Sequence, residues 1–298
     1  MPAISRTFVS TITLLSLALV AKGQAQAEAP QPGKAAPQTV TSRDGTRIAY
    51  DKSGRGPAVI VIGGALSDRA GGAELAKLLG NRFTVYSYDR RGRGASTDTK
   101  PYSVEREIED IEALIDRAGG TAYVYGKSSG AALALQAAAS LGKISKLAIY
   151  EPPYNDAQGA AREWNLFRAK VDSLLAEDRR EDAISLFMQF VGAPDEVVAK
   201  MKASPSWPGM LAMAPTLAYD NDILGDDRAV PAEIAAKVKV PTLVMDGGAS
   251  LAPMPFMRAT ADKLGKTIAG AERLVVEGQA HDVNSKVLAP ILVKFFTQ

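Results

Sequence analysis

The chain has 298 residues, of which 46% are hydrophobic and 23% charged. This composition is typical of a globular domain with a full core and an insertion. The 35 basic and 33 acidic residues form no long run of one charge, which argues against a nucleic-acid-binding surface. The absence of cysteine excludes disulfides, thiolate metal sites and cysteine catalysis. Because His281 is the single histidine, a zinc site would need three carboxylates as well, and we expect no catalytic metal.

The first residues have the pattern of a secretory signal peptide. Arg6 precedes an apolar stretch at residues 8–21, and Ala-Gln-Ala at residues 25–27 offers small side chains for cleavage. The stretch is short for a membrane span, although an uncleaved anchor is the alternative interpretation. We predict cleavage after Ala27 (signal peptide 1–27), which would leave a periplasmic or secreted protein without stable membrane insertion. Residues 28–38, rich in Pro, Ala and Gln, are expected to form a flexible linker.

Strand and helix patterns alternate along most of the remaining chain. Residues 39–52 predict a hairpin that turns at Asp44-Gly45. Further strands are predicted at residues 57–62, 83–88, 123–125, 146–150, 241–245 and 273–277, and helices at 73–79, 104–118, 131–141, 257–264 and 283–296. This order indicates an α/β fold with a mostly parallel, eight-stranded sheet and helices on both faces.

Residues 154–239 interrupt the alternation. They contain helical patterns but no convincing strand, so we predict a helical lid inserted into a core made of residues 39–153 and 240–298. Both tryptophans fall in this stretch, together with several methionines: Trp164, Trp207, Met201, Met210 and Met213. These side chains either cover an apolar pocket or form the core of the lid itself, and the pattern leaves both open.

The most specific chemical signal is the Gly-x-Ser-x-Gly motif at residues 126–130. It follows a strand-like run and opens an alanine-rich helix, the context in which such a motif presents a nucleophilic serine on a sharp turn. Ser128 is a weak nucleophile until a base removes its proton, and His281 is that base by elimination. A phosphate-binding loop would need glycine in place of Thr121, and a chance match would not explain the strand–turn–helix context.

Backbone N–H groups are needed to stabilise a tetrahedral oxyanion. Ser129, directly after the nucleophile, is expected to provide one donor. Ala65 is the best candidate for the second, because it follows the pair Gly63-Gly64 at the end of a predicted strand. A tight turn would also explain the glycine pair.

Two residues are candidates for the acid that would orient His281. Glu151 stands at the end of the strand after the serine-bearing helix, and Asp246 stands at the end of the next predicted strand. Residues 249–250, where a carboxylate is more usual, are Ala and Ser. Asp282 adjoins the histidine, and its side chain would point away from the ring. Glu151 could otherwise cap the lid hinge, and Asp246 could stabilise a glycine turn.

The whole mature chain resembles the α/β-hydrolase superfamily, and within it a bacterial serine hydrolase subgroup. The resemblance is carried by residues 63–69, 89–94, 150–153, 246–250 and 278–282. It implies the α/β-hydrolase fold and a cofactor-free mechanism, with Lys127 where many relatives have histidine. The related haloalkane dehalogenases commonly use a glutamate at the strand end that corresponds to Glu151. This resemblance favours Glu151 over Asp246 as the acid that orients His281. The dehalogenases have a nucleophilic aspartate where this chain has Ser128, which disfavours dehalogenation and the epoxide-hydrolase mechanism.

The arginine-rich segment at residues 89–93 resembles one that organises the loop beside the site in this superfamily. We interpret it as structural. Within it, we expect Asp89 to shield Arg91.

The combined interpretation is a secreted serine hydrolase that cleaves a small, apolar ester, thioester or lactone. Ser128 attacks the carbonyl and His281 transfers the proton to the leaving group, while Glu151 orients the histidine. The N–H groups of Ser129 and Ala65 hold the oxyanion, and no cofactor is required. The alternatives are a cofactor-free lyase, carbon–carbon hydrolase or perhydrolase on the same scaffold, and a non-catalytic ligand-binding homologue.

Overall fold

The computed structural model describes residues 37–250 and 254–298. The predicted signal peptide, residues 1–27, and residues 28–36 of the predicted linker lie outside this part of the chain. The described residues form one eight-stranded sheet with a hydrophobic core on each face, which confirms the predicted α/β architecture. Among them, no helix combines the length and the apolar character that crossing a membrane requires.

The sheet is antiparallel at one edge and parallel elsewhere. Its strands are β1 (Gln38–Thr41), β2 (Arg47–Gly54), β3 (Ala58–Ile62), β4 (Thr84–Tyr88), β5 (Ala122–Lys127), β6 (Ile144–Tyr150), β7 (Thr242–Gly247) and β8 (Glu272–Val276). They lie in the order β1-β2-β4-β3-β5-β6-β7-β8, and only the β1–β2 and β2–β4 pairs are antiparallel. Strand β1 begins at Gln38, inside the predicted linker, because this residue pairs with Tyr50 of β2.

Helices cover both faces of the sheet. They are α1 (Ala73–Leu79), α2 (Val104–Arg117), α3 (Ser129–Ser140), α4 (Ala160–Ala176), α5 (Arg180–Phe190), α6 (Asp195–Lys202), α7 (Trp207–Met213), α8 (Leu217–Leu224), α9 (Ala232–Ala235), α10 (Phe256–Thr267) and α11 (Ser285–Thr297). Helices α1 and α11 contribute buried side chains to one core, and α2, α3 and α10 contribute to the other. The carboxyl ends of the parallel strands therefore meet at one edge, where α/β proteins place their ligands.

The chain between β6 and β7 forms the helical insertion. Residues 151–241, all of which the structure describes, contain helices α4 to α9 and no strand. Trp207 and Met213 are buried in it, while Met201 and Met210 are half-buried against the core that includes α3. These four side chains act as packing residues of the insertion.

The loop after β4 is fixed to α2 by buried ion pairs. Arg91 donates to both carboxylate oxygens of Asp110 at 2.8 Å and to Asp44 of the β1–β2 loop at 2.9 Å. The expected shielding of Arg91 by Asp89 is wrong, because the arginine extends to the helix and the hairpin. The Asp89 carboxylate instead accepts the backbone N–H of Arg69 at 2.7 Å.

Loss of the Arg91 side chain should destabilise the protein strongly. Arg91→Met leaves the buried Asp110 carboxylate without its cation, and we expect the free energy of unfolding to fall by about 3–5 kcal/mol in urea denaturation. The matched control is Arg180→Met, which removes a partly exposed 2.7 Å ion pair with Asp178 and should have a much smaller effect. Equal losses in the two variants would contradict this account.

Candidate active site

Ser128 sits on a strained turn between β5 and α3. Its backbone has φ +59° and ψ −132°, a conformation that costs energy for a residue with a side chain. The turn has no room for side chains on either flank. A Cβ at Gly126 would lie 2.8 Å from the Ala131 Cα, and one at Gly130 would lie 2.9 Å from the Gly63 carbonyl carbon. Both glycines of the motif are therefore required by the close approach of β3, β5 and α3.

The loop after β3 passes directly beside the serine. A Cβ at Gly64 would lie 2.9 Å from the Ser128 Cβ and 3.4 Å from its Oγ. The next residue, Ala65, lines the same cavity as Ser128 and Ser129. Within the described parts of the chain, the N–H groups of Ala65 and Ser129 have no hydrogen-bond acceptor. Two free donors beside a serine hydroxyl are suited to binding a developing oxyanion.

Arg93 holds the peptide group that carries the Ala65 N–H. Its Nη1 donates to the Gly64 carbonyl oxygen at 2.6 Å. The carbonyl of Gly64 and the N–H of Ala65 belong to one planar peptide unit and point in opposite directions. The bond to Arg93 therefore sets the direction of the donor at Ala65, and the cationic hydrogen bond polarises it.

A buried carboxylate connects this arginine to the second donor residue. Asp220 of helix α8 accepts hydrogen bonds from Arg93 Nη2 at 2.8 Å, from Arg90 Nη1 at 2.7 Å and from the Ser129 hydroxyl at 2.7 Å. Burial opposes its ionisation, but the two guanidinium groups outweigh burial and lower the pKa of Asp220. Arg90 also binds Glu107 through two 2.7 Å hydrogen bonds, so the buried charges balance. Sequence reasoning missed Asp220, which lies in no recognisable motif.

Glu151 is in direct contact with His281. The Nδ1 atom of His281 lies 2.7 Å from Glu151 Oε2, and the other carboxylate oxygen accepts the Gly247 N–H at 2.7 Å. Glu151 is fully buried and follows β6 with φ +48°. Burial opposes its ionisation, whereas the hydrogen bonds from His281 and Gly247 lower the pKa of its carboxyl group. A carboxylate only accepts hydrogen bonds, so this contact requires a proton on Nδ1 and leaves Nε2 able to act as a base.

Asp246 has other partners. Its buried carboxylate is bound by Arg258 Nε at 2.6 Å and by the guanidinium group of Arg273. The structure thus brings Glu151 into hydrogen-bond contact with His281, and holds Asp246 between two arginines of α10 and β8.

Lys127 and Asp282 form an ion pair at the rim of the site. The Nζ atom of Lys127 lies 2.6 Å from the Asp282 carboxylate, and the lysine lowers the pKa of that carboxyl group. Because these residues adjoin Ser128 and His281, the pair connects the two segments that carry them. The Asp282 carboxylate is bound by this lysine, and the Nδ1 atom of His281 is bound by Glu151.

A small cavity of about 120 Å³ is lined by Ser128, by His281 and by Ala65 and Ser129, the two residues with free N–H donors. It lies between the core and the helical insertion. Its other lining residues are Pro153, Trp164, Phe187, Phe190, Val191, Gly192, Asp220, Asn221, Leu224, Arg228, Met254, Phe256 and Met257. Of the tryptophans and methionines of the predicted lid, only Trp164 lines this cavity. The described residues contain no group of three or more His, Cys, Asp or Glu side chains placed to hold a metal ion.

Solved structures share this architecture. An alpha/beta hydrolase from Sphaerobacter thermophilus is 50% identical with a TM-score of 0.79, over 87% of this chain and 100% of that one. An esterase from Exiguobacterium antarcticum has a TM-score of 0.66 at 19% identity, over 88% of this chain and 100% of that one. At that identity the likeness shows the fold alone.

Curated relatives match shorter stretches. The uncharacterized hydrolase YraK of Bacillus subtilis is 35% identical over 95 residues, which span 30% of this chain and 35% of that protein. The proline iminopeptidase PfmaB of Pestalotiopsis fici is 27% identical over 154 residues, or 48% of this chain and 55% of that protein. The chain thus spans about a third and about half of the lengths of these two relatives. The model of the alpha/beta hydrolase family matches residues 59–286, and this chain belongs to that family.

Proposed function

We propose that this protein is a secreted serine hydrolase that cleaves a small ester, thioester or lactone through an acyl-enzyme on Ser128. The observation that carries the proposal is the 2.7 Å contact between His281 and Glu151, with His281 lining the same cavity as the strained Ser128. With Nδ1–H bound to the carboxylate, the Nε2 lone pair is available to accept the serine proton.

The proposed reaction has two halves. Ser128 Oγ attacks the substrate carbonyl while its proton moves to His281, and the carbonyl oxygen becomes an anion held by the N–H groups of Ala65 and Ser129. Collapse of this intermediate expels the leaving group, which takes the proton from the histidine. Water then attacks the acyl-enzyme with His281 as base, and Ser128 recovers its proton as the acid product departs.

Two observations narrow the proposal. The alternative of a non-catalytic homologue depended on a histidine without an orienting carboxylate, and the contact with Glu151 removes that reason. The cavity of about 120 Å³ is also far below the roughly 300–1,000 Å³ usual for drug-sized ligands, which supports a small substrate.

The first test is covalent labelling of the serine. We expect a fluorophosphonate probe to add one adduct to the wild-type protein, seen by intact mass, because His281 activates Ser128. The Ser128→Ala variant should stay unmodified and should hydrolyse no member of an ester panel. Ester turnover that survives in this variant would falsify the acyl-enzyme proposal. A labelled protein that cleaves no ester would favour the lyase, carbon–carbon hydrolase or perhydrolase alternatives.

The same mass measurement tests secretion. When the full chain is expressed in a Gram-negative host and recovered from the periplasm, we expect a mature protein that begins at Glu28, because the small residues before it suit signal peptidase. A cytoplasmic protein that retains residues 1–27 would contradict both the predicted cleavage and the proposed location.

The tautomer of His281 provides a test independent of substrate. Because the chain has one histidine, a protein without tag histidines gives the two nitrogen signals of a single imidazole ring in ¹⁵N-correlated NMR spectra, and their chemical shifts identify the protonated nitrogen. At a pH where the ring is neutral, we expect the proton on Nδ1, since the Glu151 carboxylate only accepts. The Glu151→Ala variant should lose this preference. A wild-type ring protonated on Nε2 would be incompatible with the proposed role of Glu151.

Paired variants test which carboxylate orients the base. Glu151→Gln should lower kcat on the order of 100-fold or more, because the amide can stabilise the wrong tautomer and cannot stabilise the imidazolium. Asp246→Asn should leave the kcat of the folded protein nearly unchanged while lowering the melting temperature, since it weakens the pairs with Arg258 and Arg273. The reverse pattern of kcat values would assign the acid to Asp246.

A further inference from the structure

Arg228 is a buried arginine without an acidic partner. It is 7% exposed, and within the described residues no carboxylate lies in ion-pair contact with it. Residues 251–253, outside that part, are Leu, Ala and Pro and contain no acid. Its Nε donates to the carbonyl oxygen of Pro153, and its two Nη groups make no hydrogen bond in the described chain. The other buried arginines, Arg90, Arg91 and Arg93, are each paired with carboxylates.

Aromatic rings surround the guanidinium group. Its central carbon lies 5.4 Å from the ring centre of Trp164, 5.2 Å from that of Phe190 and 4.8 Å from that of Phe256. These rings attract a cation, but they supply no hydrogen-bond acceptor in place of water. Burial alone lowers the pKa of Arg228 to about 10. Its φ of +56° adds backbone strain to the unfavourable burial of the charge.

Arg228 and the three rings around its guanidinium group line the cavity that holds Ser128 and His281. The other permanently charged residue lining that cavity, Asp220, is balanced by Arg90 and Arg93. The cavity wall is therefore positive at Arg228. Asn221 adds a further donor, because its side chain is 5% exposed and its Nδ2 has no partner in the described chain. A strained, unpaired cation and an unpaired amide beside a nucleophile indicate a missing anionic partner.

We propose that Arg228 binds a carboxylate of the substrate, so that the preferred substrate is a small ester, thioester or lactone bearing one negative charge. The inference rests on the proposed function and names the substrate class of that site. A guanidinium group presents paired donors that match a carboxylate, and such hydrogen bonds are stronger than neutral ones. The aromatic rings hold the guanidinium group in place, and Asn221 donates a further hydrogen bond.

The wild-type enzyme tests the proposal through pairs of equal shape. Monomethyl succinate and methyl 4-methylpentanoate differ by a carboxylate on the acyl side, and acetoxyacetate and isobutyl acetate differ by one on the alcohol side. At constant ionic strength, we expect kcat/KM for the anion to exceed that of its neutral counterpart by about 10-fold or more in one pair. Preference for the neutral ester in both pairs, or no preference in either, would overturn the proposal.

Variants locate the source of the preference. Arg228→Met should bring the anion-to-neutral ratio of kcat/KM close to one, mainly through a higher KM for the anion, whereas Arg228→Lys should retain part of the ratio. The control is Arg168→Met, which removes an arginine of the same insertion that pairs with Asp222 and Asp226 outside the cavity. It should leave the ratio unchanged. A full preference in folded Arg228→Met would assign anion binding to another residue.

A protection experiment covers the case in which Arg228 variants do not fold. Succinate should slow fluorophosphonate labelling of the wild-type serine, and the neutral succinamide should not. Equal effects of the two compounds would count against the carboxylate site. If neither labelling nor hydrolysis of any ester occurs, the proposed function itself fails. Labelling and hydrolysis without an anion preference would overturn only the inference about Arg228.

Discussion

The arrangement of the site depends on the hydrogen bonds that the buried carboxylate of Asp220 accepts. Three groups share it: two arginines of the loop after β4 and the hydroxyl of Ser129 at the start of α3. Through Arg93 it also reaches the peptide between Gly64 and Ala65. One side chain from the helical insertion is thus connected to both residues that present N–H donors beside Ser128: to Ser129 through its hydroxyl and to Ala65 through Arg93. A buried ion of this kind contributes little net stability, but its removal would leave the buried guanidinium group of Arg93 without a carboxylate partner, whereas Arg90 would keep Glu107.

Local sequence patterns are enough to predict the fold, and they lead to Ser128 and His281 as the proposed reactive pair. Continuous apolar runs identify strands buried on both faces, and the glycines around Ser128 mark a turn where backbones meet. His281 is proposed as the base from composition alone, because the chain contains one histidine. Asp220 and Arg228 could not be identified in this way. Asp220 lies 127 residues after Arg93, and only the packing of the insertion onto the core brings the two together.

Sequence patterns also could not decide whether Glu151 or Asp246 is the carboxylate that contacts His281. Both end neighbouring parallel strands, so the pattern places both at the correct edge of the sheet. The environments of the two carboxylates differ because Arg258 and Arg273 bind Asp246. The spacing of residues along the sequence does not show which carboxylate these arginines bind. The surroundings of a carboxylate, more than its place on a strand, decide whether it is available to a histidine.

Glu151 is also the first residue after β6, where the helical insertion begins, and its neighbour Pro153 accepts the hydrogen bond from Arg228. In many modular enzymes, the segment that shapes the substrate pocket can be exchanged while the reactive core is retained. Here the entry to the insertion contains the residue that contacts the histidine. An evolutionary replacement of the insertion would therefore have to preserve the geometry of residues 151–153, so the shape of the cavity and the contact between Glu151 and His281 are inherited together.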